Sequence, residues 1–254
     1  MTKAIPQLIV VAHGSRSPRW VAAQREWFEG VQRQLGPLGE RAELTFLEIS
    51  LPLFEDRLMA IAGSVEKPVA VLPFFLARGG HASEDIPPIA NAVLGRDGWR
   101  LVQPEGWMDV LGANARRRLE RSGARPGEPV VVSAYGSSHE NDEWLALVAD
   151  VQAHAGPFAA GPAWGFAPSG HFLADYKEPL RAALQQIVQQ GLPSAAVLPL
   201  YLAVSSYQET LIPEVLAEFP QLACAFEPTS ILPDPDLEIW AANLIRQALQ
   251  TQEI

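Results

Sequence analysis

The sequence predicts an α/β protein made of two tandem, similar units. Each is an open sheet of four parallel strands flanked by helices, in the Rossmann-like or flavodoxin-like manner. Three observations carry this expectation. Short apolar runs alternate along the whole chain with helical patterns of about 10–15 residues, as in successive βαβ units. One phrase occurs twice, "VVAHGSRSP" at 10–18 and "VVSAYGSSH" at 131–139. A longer one does too: "PVAVLPFFLARGGHASEDIP" (68–87) lies over "SAAVLPLYLAVSSYQETLIP" (194–213), sharing Ala-Val-Leu-Pro, Leu-Ala and a closing Ile-Pro.

The elements follow in order. "QLIVVA" is a buried strand, and "PRWVAAQREWFEGVQRQLG" an amphipathic helix ending near glycine. "AELTFLE" (strand), "LFEDRLMAIAGSV" (helix), "PVAVLPFF" (strand), "SEDIPPIANAVLG" (helix), "WRLVQP" (strand) and "WMDVLGANARRRLERSG" (helix) complete the first half. The breaker-rich segment "SGARPGEP" places a linker at 123–128 between an N-terminal unit, 1–122, and a C-terminal unit, 129–254. The second half repeats the order with "PVVVSA", "NDEWLALVADVQAH", "FAAGPAW", "YKEPLRAALQQIVQQG", "SAAVLPLYL", "TLIPEVLAEF", "LACAFEP" and "DLEIWAANLIRQAL".

Composition narrows the class. A chain of 254 residues, 48% hydrophobic, can bury a substantial core. No apolar stretch reaches the roughly 20 residues of a membrane span. The apolar run at the N-terminus leads into "HGS", so it reads as a first strand and not as a signal peptide. One cysteine, Cys224, permits no internal disulfide, fits a reducing cytoplasm and reads as a small buried hydrophobe. The formal charge of −10, with no basic block to offset it, argues against generic nucleic-acid binding. An anionic ligand would need local arginines, and Arg16, Arg19 and Arg78 stand beside the repeated motifs.

In an open parallel sheet, ligands gather at the carboxyl ends of the strands. His13 lies just past strand one, Glu48 at the end of strand two and His81 shortly after strand three, so the three are expected on one rim. Two neutral imidazoles and a carboxylate suit Co²⁺, Fe²⁺, Ni²⁺ or Zn²⁺, and three ligands leave coordination positions open for a substrate. Gly79 and Gly80 permit a tight backbone path before His81. His13 and His81 are 68 residues apart, and Tyr135 and Tyr207, which replace them in the second half, are 72 apart. A single histidine after a strand is usually an ordinary surface or capping residue. Two in duplicated positions, both beside glycine and both replaced in the sister copy, point to a shared task. The stretch that answers Glu48, "AWGFAPSGH", has no carboxylate. His139, His154 and His171 have no duplicated partners and read as surface residues, with a second metal site at His139 and His171 as the alternative.

"VAHGSRSP", "FLE" and "LPFFLARGGHASEDIP", in this order, resemble the sirohydrochlorin cobaltochelatase and ferrochelatase family, the small class II chelatases. The likeness runs over the whole chain, because long members of that family are a tandem of two such units. It implies ATP-independent insertion of a divalent metal into sirohydrochlorin, on the way to cobalamin or sirohaem, by a cytoplasmic enzyme with no membrane or nucleic-acid partner, as monomer or homodimer. The metal, Co²⁺, Fe²⁺ or Ni²⁺, is a substrate, and no organic cofactor is expected. By motif match His13 and His81 take the metal-binding positions and Glu48 the acidic one. The second half departs at all three, as in members where one half works and the other supplies the opposite wall of a cleft.

The chemistry fits these residue types. Two pyrrole protons must leave as the metal enters, and an imidazole or Glu48 can accept them near neutral pH. Eight substrate carboxylates need local positive features. Ser15, Arg16 and the backbone N–H groups of the "GSRSPR" turn supply them at a helix N-terminus, with Arg78, Gly79 and Gly80 nearby. Tyr135 and Tyr207 are expected to pack on the macrocycle or to fill space between the halves. Two rivals stand beside this. A histidine phosphatase also sets His-Gly after strand one but wants an arginine before the histidine, where this chain has Ala12. A non-catalytic metal or tetrapyrrole carrier would keep the ligands without turnover.

Overall fold

The computed structural model describes residues 6–64, 68–76, 81–134, 141–166, 177–205 and 207–251. In chain order the first half forms β1 (Leu8–Ala12), α1 (Pro18–Leu35), β2 (Ala42–Phe46), α2 (Phe54–Ile61), β3 (Val69–Pro73), α3 (Ile86–Leu94), β4 (Trp99–Leu101) and α4 (Trp107–Ser122). The second forms β5 (Val130–Ala134), α5 (Asn141–His154), β6 (Ala163–Phe166), α6 (Lys177–Gln189), β7 (Ser194–Leu200), α7 (Ile212–Leu216), β8 (Ala223–Phe226) and α8 (Pro235–Gln250).

The two sheets share one topology, β2-β1-β3-β4 and β6-β5-β7-β8, with every pairing parallel. Val10 stands opposite Leu44 and Leu72 in the first, and Val132 opposite Gly165 and Leu198 in the second. β1, β3 and β5 are buried along their whole length. This is why they read as unbroken apolar runs: helices cover both faces of a parallel sheet. The expected pair of four-stranded α/β units is therefore borne out. In each, the chain leaves the central strand (β1 or β5) toward one edge and returns on its other side, which creates a switch point at the carboxyl ends of the two middle strands.

Helix limits follow local chemistry. Ser17 caps α1 by accepting the Trp20 N–H at 3.4 Å, and Pro18 occupies the first turn, where its missing N–H has no partner to lose. The expected helix at 83–95 begins instead with a π-helical turn, His81–Asp85, leading into α3. A second such turn, Tyr207–Leu211, precedes α7. Proline supplies the physical reason: Pro87 and Pro213 lack the N–H for an i→i−4 bond, and their rings crowd the carbonyl four residues back, so the preceding turn widens. The same irregularity at equivalent places is a further mark of duplication.

The compact units depart from the boundary at 123–128. One comprises Met1–Trp107 with Pro233–Ile254, the other Met108–Leu232. In the second unit, Asn114 of α4 donates to the Ile231 carbonyl at 3.2 Å. Arg118, 2% exposed, donates to the Pro199 carbonyl at 2.5 Å and to the Thr229 carbonyl and hydroxyl. In the first unit, α8 packs on α1, β1 and β3. Its Trp240 Nε1–H donates to the Glu105 carbonyl at 2.7 Å, and Arg246 donates to the Gln34 carbonyl at 3.1 Å. The supposed linker is folded: Arg125 donates to Glu128 from backbone and side chain at 2.9 Å, and the Ser194 hydroxyl donates to the same carboxylate at 2.8 Å. Burial pushes Glu128 up, but these hydrogen bonds and the Arg125 charge outweigh it and hold the carboxyl below its usual range. An amphipathic stripe shows that a helix buries a face, not which sheet it buries it on.

This arrangement predicts that a fragment of residues 1–122 does not fold. It would lack α8, which buries Leu237, Leu244, Ile245 and Leu249 together with three alanines. At about 1.5–3 kcal/mol for each large side chain, the loss is comparable to the whole stability of a domain, about 5–15 kcal/mol. Adding residues 233–254 back as a separate peptide should recover helical circular dichroism. A fragment that folds cooperatively without the peptide would show that α8 is dispensable.

Cys224 is half-buried, and burial, then the nearby Glu128 charge, pushes its thiol up to about 11. It is an inert packing residue, not a nucleophile.

Candidate active site

The site is built on the carboxyl ends of β1 and β2. Beyond the strands the ladder continues: the Leu47 N–H donates to the Ala12 carbonyl at 2.7 Å and the Glu48 N–H to the His13 carbonyl at 3.1 Å. His13 and Glu48 are thereby fixed side by side, with His13 Nδ1 3.5 Å from Glu48 Oε1. Both side chains reach solvent, 39% and 54% exposed. Nδ1 also lies 3.3 Å from the Gly14 carbonyl. A proton held at Nδ1 toward these oxygens leaves the ring lone pair on Nε2, which is how a second partner orients a metal-binding histidine.

Two loops interlock to hold this pair. Gly14 has φ +99°, and a Cβ there would sit 1.8 Å from the Glu48 carbonyl oxygen. The Ser15 N–H donates to Ser50 Oγ at 3.0 Å, and the Ser50 hydroxyl returns a bond to the Ser15 carbonyl at 3.1 Å. Arg25 of α1 donates to the Leu51 carbonyl at 2.9 Å, and the Phe46 N–H to the Pro52 carbonyl at 2.9 Å. Between them the Ser50 N–H closes on the Glu48 carbonyl at 2.6 Å around Ile49, whose φ is +65°. That is a tight γ-turn in its strained form, centred on a β-branched residue.

The Ser15 hydroxyl accepts the Ser17 N–H at 3.1 Å, so it shapes the turn. Arg16 is exposed on the same turn. His81 opens the π-helical turn after β3, on the same sheet edge by topology, and Tyr207 opens the matching turn in the second unit. Arg78, Gly79, Gly80, Tyr135, His139 and His171 lie outside the described residues. Among the described residues no cluster of three His, Cys, Asp or Glu side chains forms. His154 is at the surface, near the Asp150 carbonyl (2.7 Å) and Asp109 (3.6 Å).

Sequence reasoning missed Ser50, which ties the two loops, and an apolar cavity of about 300 Å³ at the ends of β3 and β4. Phe74, Phe75, Ala82, Gln103, Trp107 and Trp240 line it. Trp27 stacks on Phe74 (centroids 3.8 Å apart, planes at 9°), and Trp107 meets Phe74 edge-on. The richness of tryptophan hinted at such a cluster, but Trp240 arrives from the far end of the chain.

The architecture is that of the open parallel α/β proteins, in which ligands generally bind at the carboxyl ends of the strands, and here a histidine–carboxylate pair stands on that rim. Residues 7–109 match the family described as CbiX. A sirohydrochlorin cobaltochelatase of Methanopyrus kandleri is 32% identical over 82 residues, 32% of this chain and 54% of that protein. The match thus spans about half of that relative. Sirohydrochlorin chelatase SirB of Bacillus subtilis subspecies spizizenii, solved with cobalt, shares the fold at TM-score 0.68 and 19% identity, over 97% of this chain and 96% of that one. SirB of Bacillus subtilis with Fe³⁺ gives TM-score 0.69 and 19% identity over 94% of both. The likeness to the class II chelatases is borne out as a likeness: residues 7–109 are similar to the CbiX family in sequence, and the chain shares its fold with the SirB structures. Among the described residues no helix is long and apolar enough to cross a membrane.

Proposed function

We propose that this protein is a sirohydrochlorin chelatase that inserts Co²⁺ or Fe²⁺ into the free macrocycle without ATP, on the way to cobalamin or sirohaem. The observation that carries the reading is the His13–Glu48 pair, 3.5 Å apart on the rim where His81 also begins its turn. The first unit holds the metal, and the second, with Tyr135 and Tyr207 in place of histidines, serves the macrocycle.

Imidazole nitrogens hold the hydrated ion loosely enough to release it, which a multi-thiolate site would not do. As pyrrole nitrogens replace water on the metal, their two protons must depart. Glu48, half-exposed beside His13, can accept one and pass it to solvent. Arg16 and Arg78 bind the rim carboxylates. Arg16→Ala or Arg78→Ala should therefore raise KM for sirohydrochlorin, by about 1.5–3 kcal/mol for a charged hydrogen bond, and leave the affinity for metal alone unchanged. Variants with normal KM but weakened metal binding would reassign the anion site.

Mixing the protein with sirohydrochlorin and Co²⁺, Fe²⁺ or Ni²⁺ in turn, and following the absorption spectrum, tests the proposal. Many turnovers per protein support a chelatase. One equivalent bound without turnover supports the carrier, and an unchanged spectrum refutes both.

A further inference from the structure

Ile49 and Leu51 lie on the loop that carries Glu48. Each is a large apolar side chain left in water, 54% and 65% exposed, within three residues of Glu48. Scattered exposed hydrophobics need no explanation. Here, however, Ile49 also has φ +65°, the only positive φ of a non-glycine residue among those described. Glycine or asparagine would sit there with less strain. The turn is fixed from both sides, by Ser50 on Ser15 and by Arg25 on the Leu51 carbonyl. A strained, rigid and water-exposed β-branched residue beside reactive groups is a feature that folding alone does not favour.

We propose that Ile49 and Leu51 form an apolar platform that packs on the face of the tetrapyrrole next to the His13–Glu48 pair. They would thereby position the macrocycle for metal entry. The inference rests on the function proposed above. A tetrapyrrole is a flat apolar face ringed by carboxylates, so a site for it needs apolar surface next to the metal ligands and positive charge farther out. Arg16, on the neighbouring turn, is placed for the second task. The platform binds the ring and not the ion, so both residues are positioning residues.

The test measures Kd for metal-free sirohydrochlorin by tryptophan quenching, Kd for Co²⁺ alone by calorimetry, and Tm. Ile49→Gly relieves the strain and should raise Tm by about 2–4 °C while weakening sirohydrochlorin binding about tenfold, equivalent to about 1.4 kcal/mol. Ile49→Asn tolerates the same φ with a polar side chain and should weaken binding as much. Leu51→Ser should weaken it several-fold. Met59→Gln removes an equally exposed apolar group on α2 and should change nothing. Co²⁺ affinity should stay constant throughout. If the wild-type protein binds sirohydrochlorin and the Ile49 and Leu51 variants match it, the platform is refuted while the chelatase reading stands. A loss in Ile49→Gly but not in Ile49→Asn would assign the effect to loop flexibility, overturning the apolar contact. No binding by the wild-type protein would remove both proposals.

Discussion

Gly14→Ala is expected to eliminate most metal insertion and to lower Tm by about 10 °C. The methyl group would enter the Glu48 carbonyl oxygen at 1.8 Å, a distance no relaxation of side chains can relieve, because the obstacle is backbone. The 47–51 loop must move away, and the bonds from Leu47 to Ala12 and from Glu48 to His13 go with it. Positive φ costs an alanine about 1–2 kcal/mol, and each lost hydrogen bond about 0.5–1.5 kcal/mol. Together these reach about 3 kcal/mol, which at about 2–4 °C per kcal/mol gives the expected shift. Gly36 supplies the comparison. It also has positive φ, but a Cβ there meets nothing within 4 Å. Gly36→Ala should lower Tm by only a few degrees and keep full activity. Calorimetry and an insertion assay on the two variants check this. Equal behaviour of the pair would mean that the interlocked loops do not set the site.

The succession of strands and the duplication were legible because buried parallel strands are written as continuous apolar runs, and because the turn after each central strand repeats its small residues. The placing of His13 and Glu48 on one rim was legible because parallel strands bring their carboxyl ends to one edge, whereas their standing side by side is seen only in the pairing of β1 with β2. What periodicity does not encode is which sheet a helix covers. α4 and α8 carry ordinary amphipathic stripes, and only contacts such as Arg118 to Thr229 or Trp240 to Glu105 reveal that each completes the unit of the other half. The composition of 123–128 suggested a linker, and Glu128 makes it a hydrogen-bonded turn. The left-handed turn at Ile49 was unreadable, since isoleucine is among the last residues expected there.

His13→Ala is the second large effect. His13 is part-exposed on a loop outside the core, so its replacement should shift stability by no more than about 0.5 kcal/mol. Its loss would leave the metal with Glu48 and the proposed His81, too few groups to hold the ion while it sheds water. Outer partners of metal ligands already cost about 10–100-fold when removed, and a direct ligand should cost at least the upper end of that range. Glu48→Gln keeps an amide oxygen toward the ion and removes only the proton acceptor, which solvent can replace, so it should slow insertion less. Tyr135→Ala and Tyr207→Ala should change the affinity for sirohydrochlorin while chelation survives. Histidine restored at both tyrosines should not equal the first site, because "AWGFAPSGH" offers no counterpart of Glu48.

The initial rate of Co²⁺ insertion into sirohydrochlorin by His13→Ala, measured against wild type with circular dichroism to confirm folding, tests the central claim most directly. A folded variant at least about 100-fold slower is the expected result. A folded His13→Ala protein that inserts metal at the wild-type rate would contradict the assignment of chelation to the β1–β2 rim.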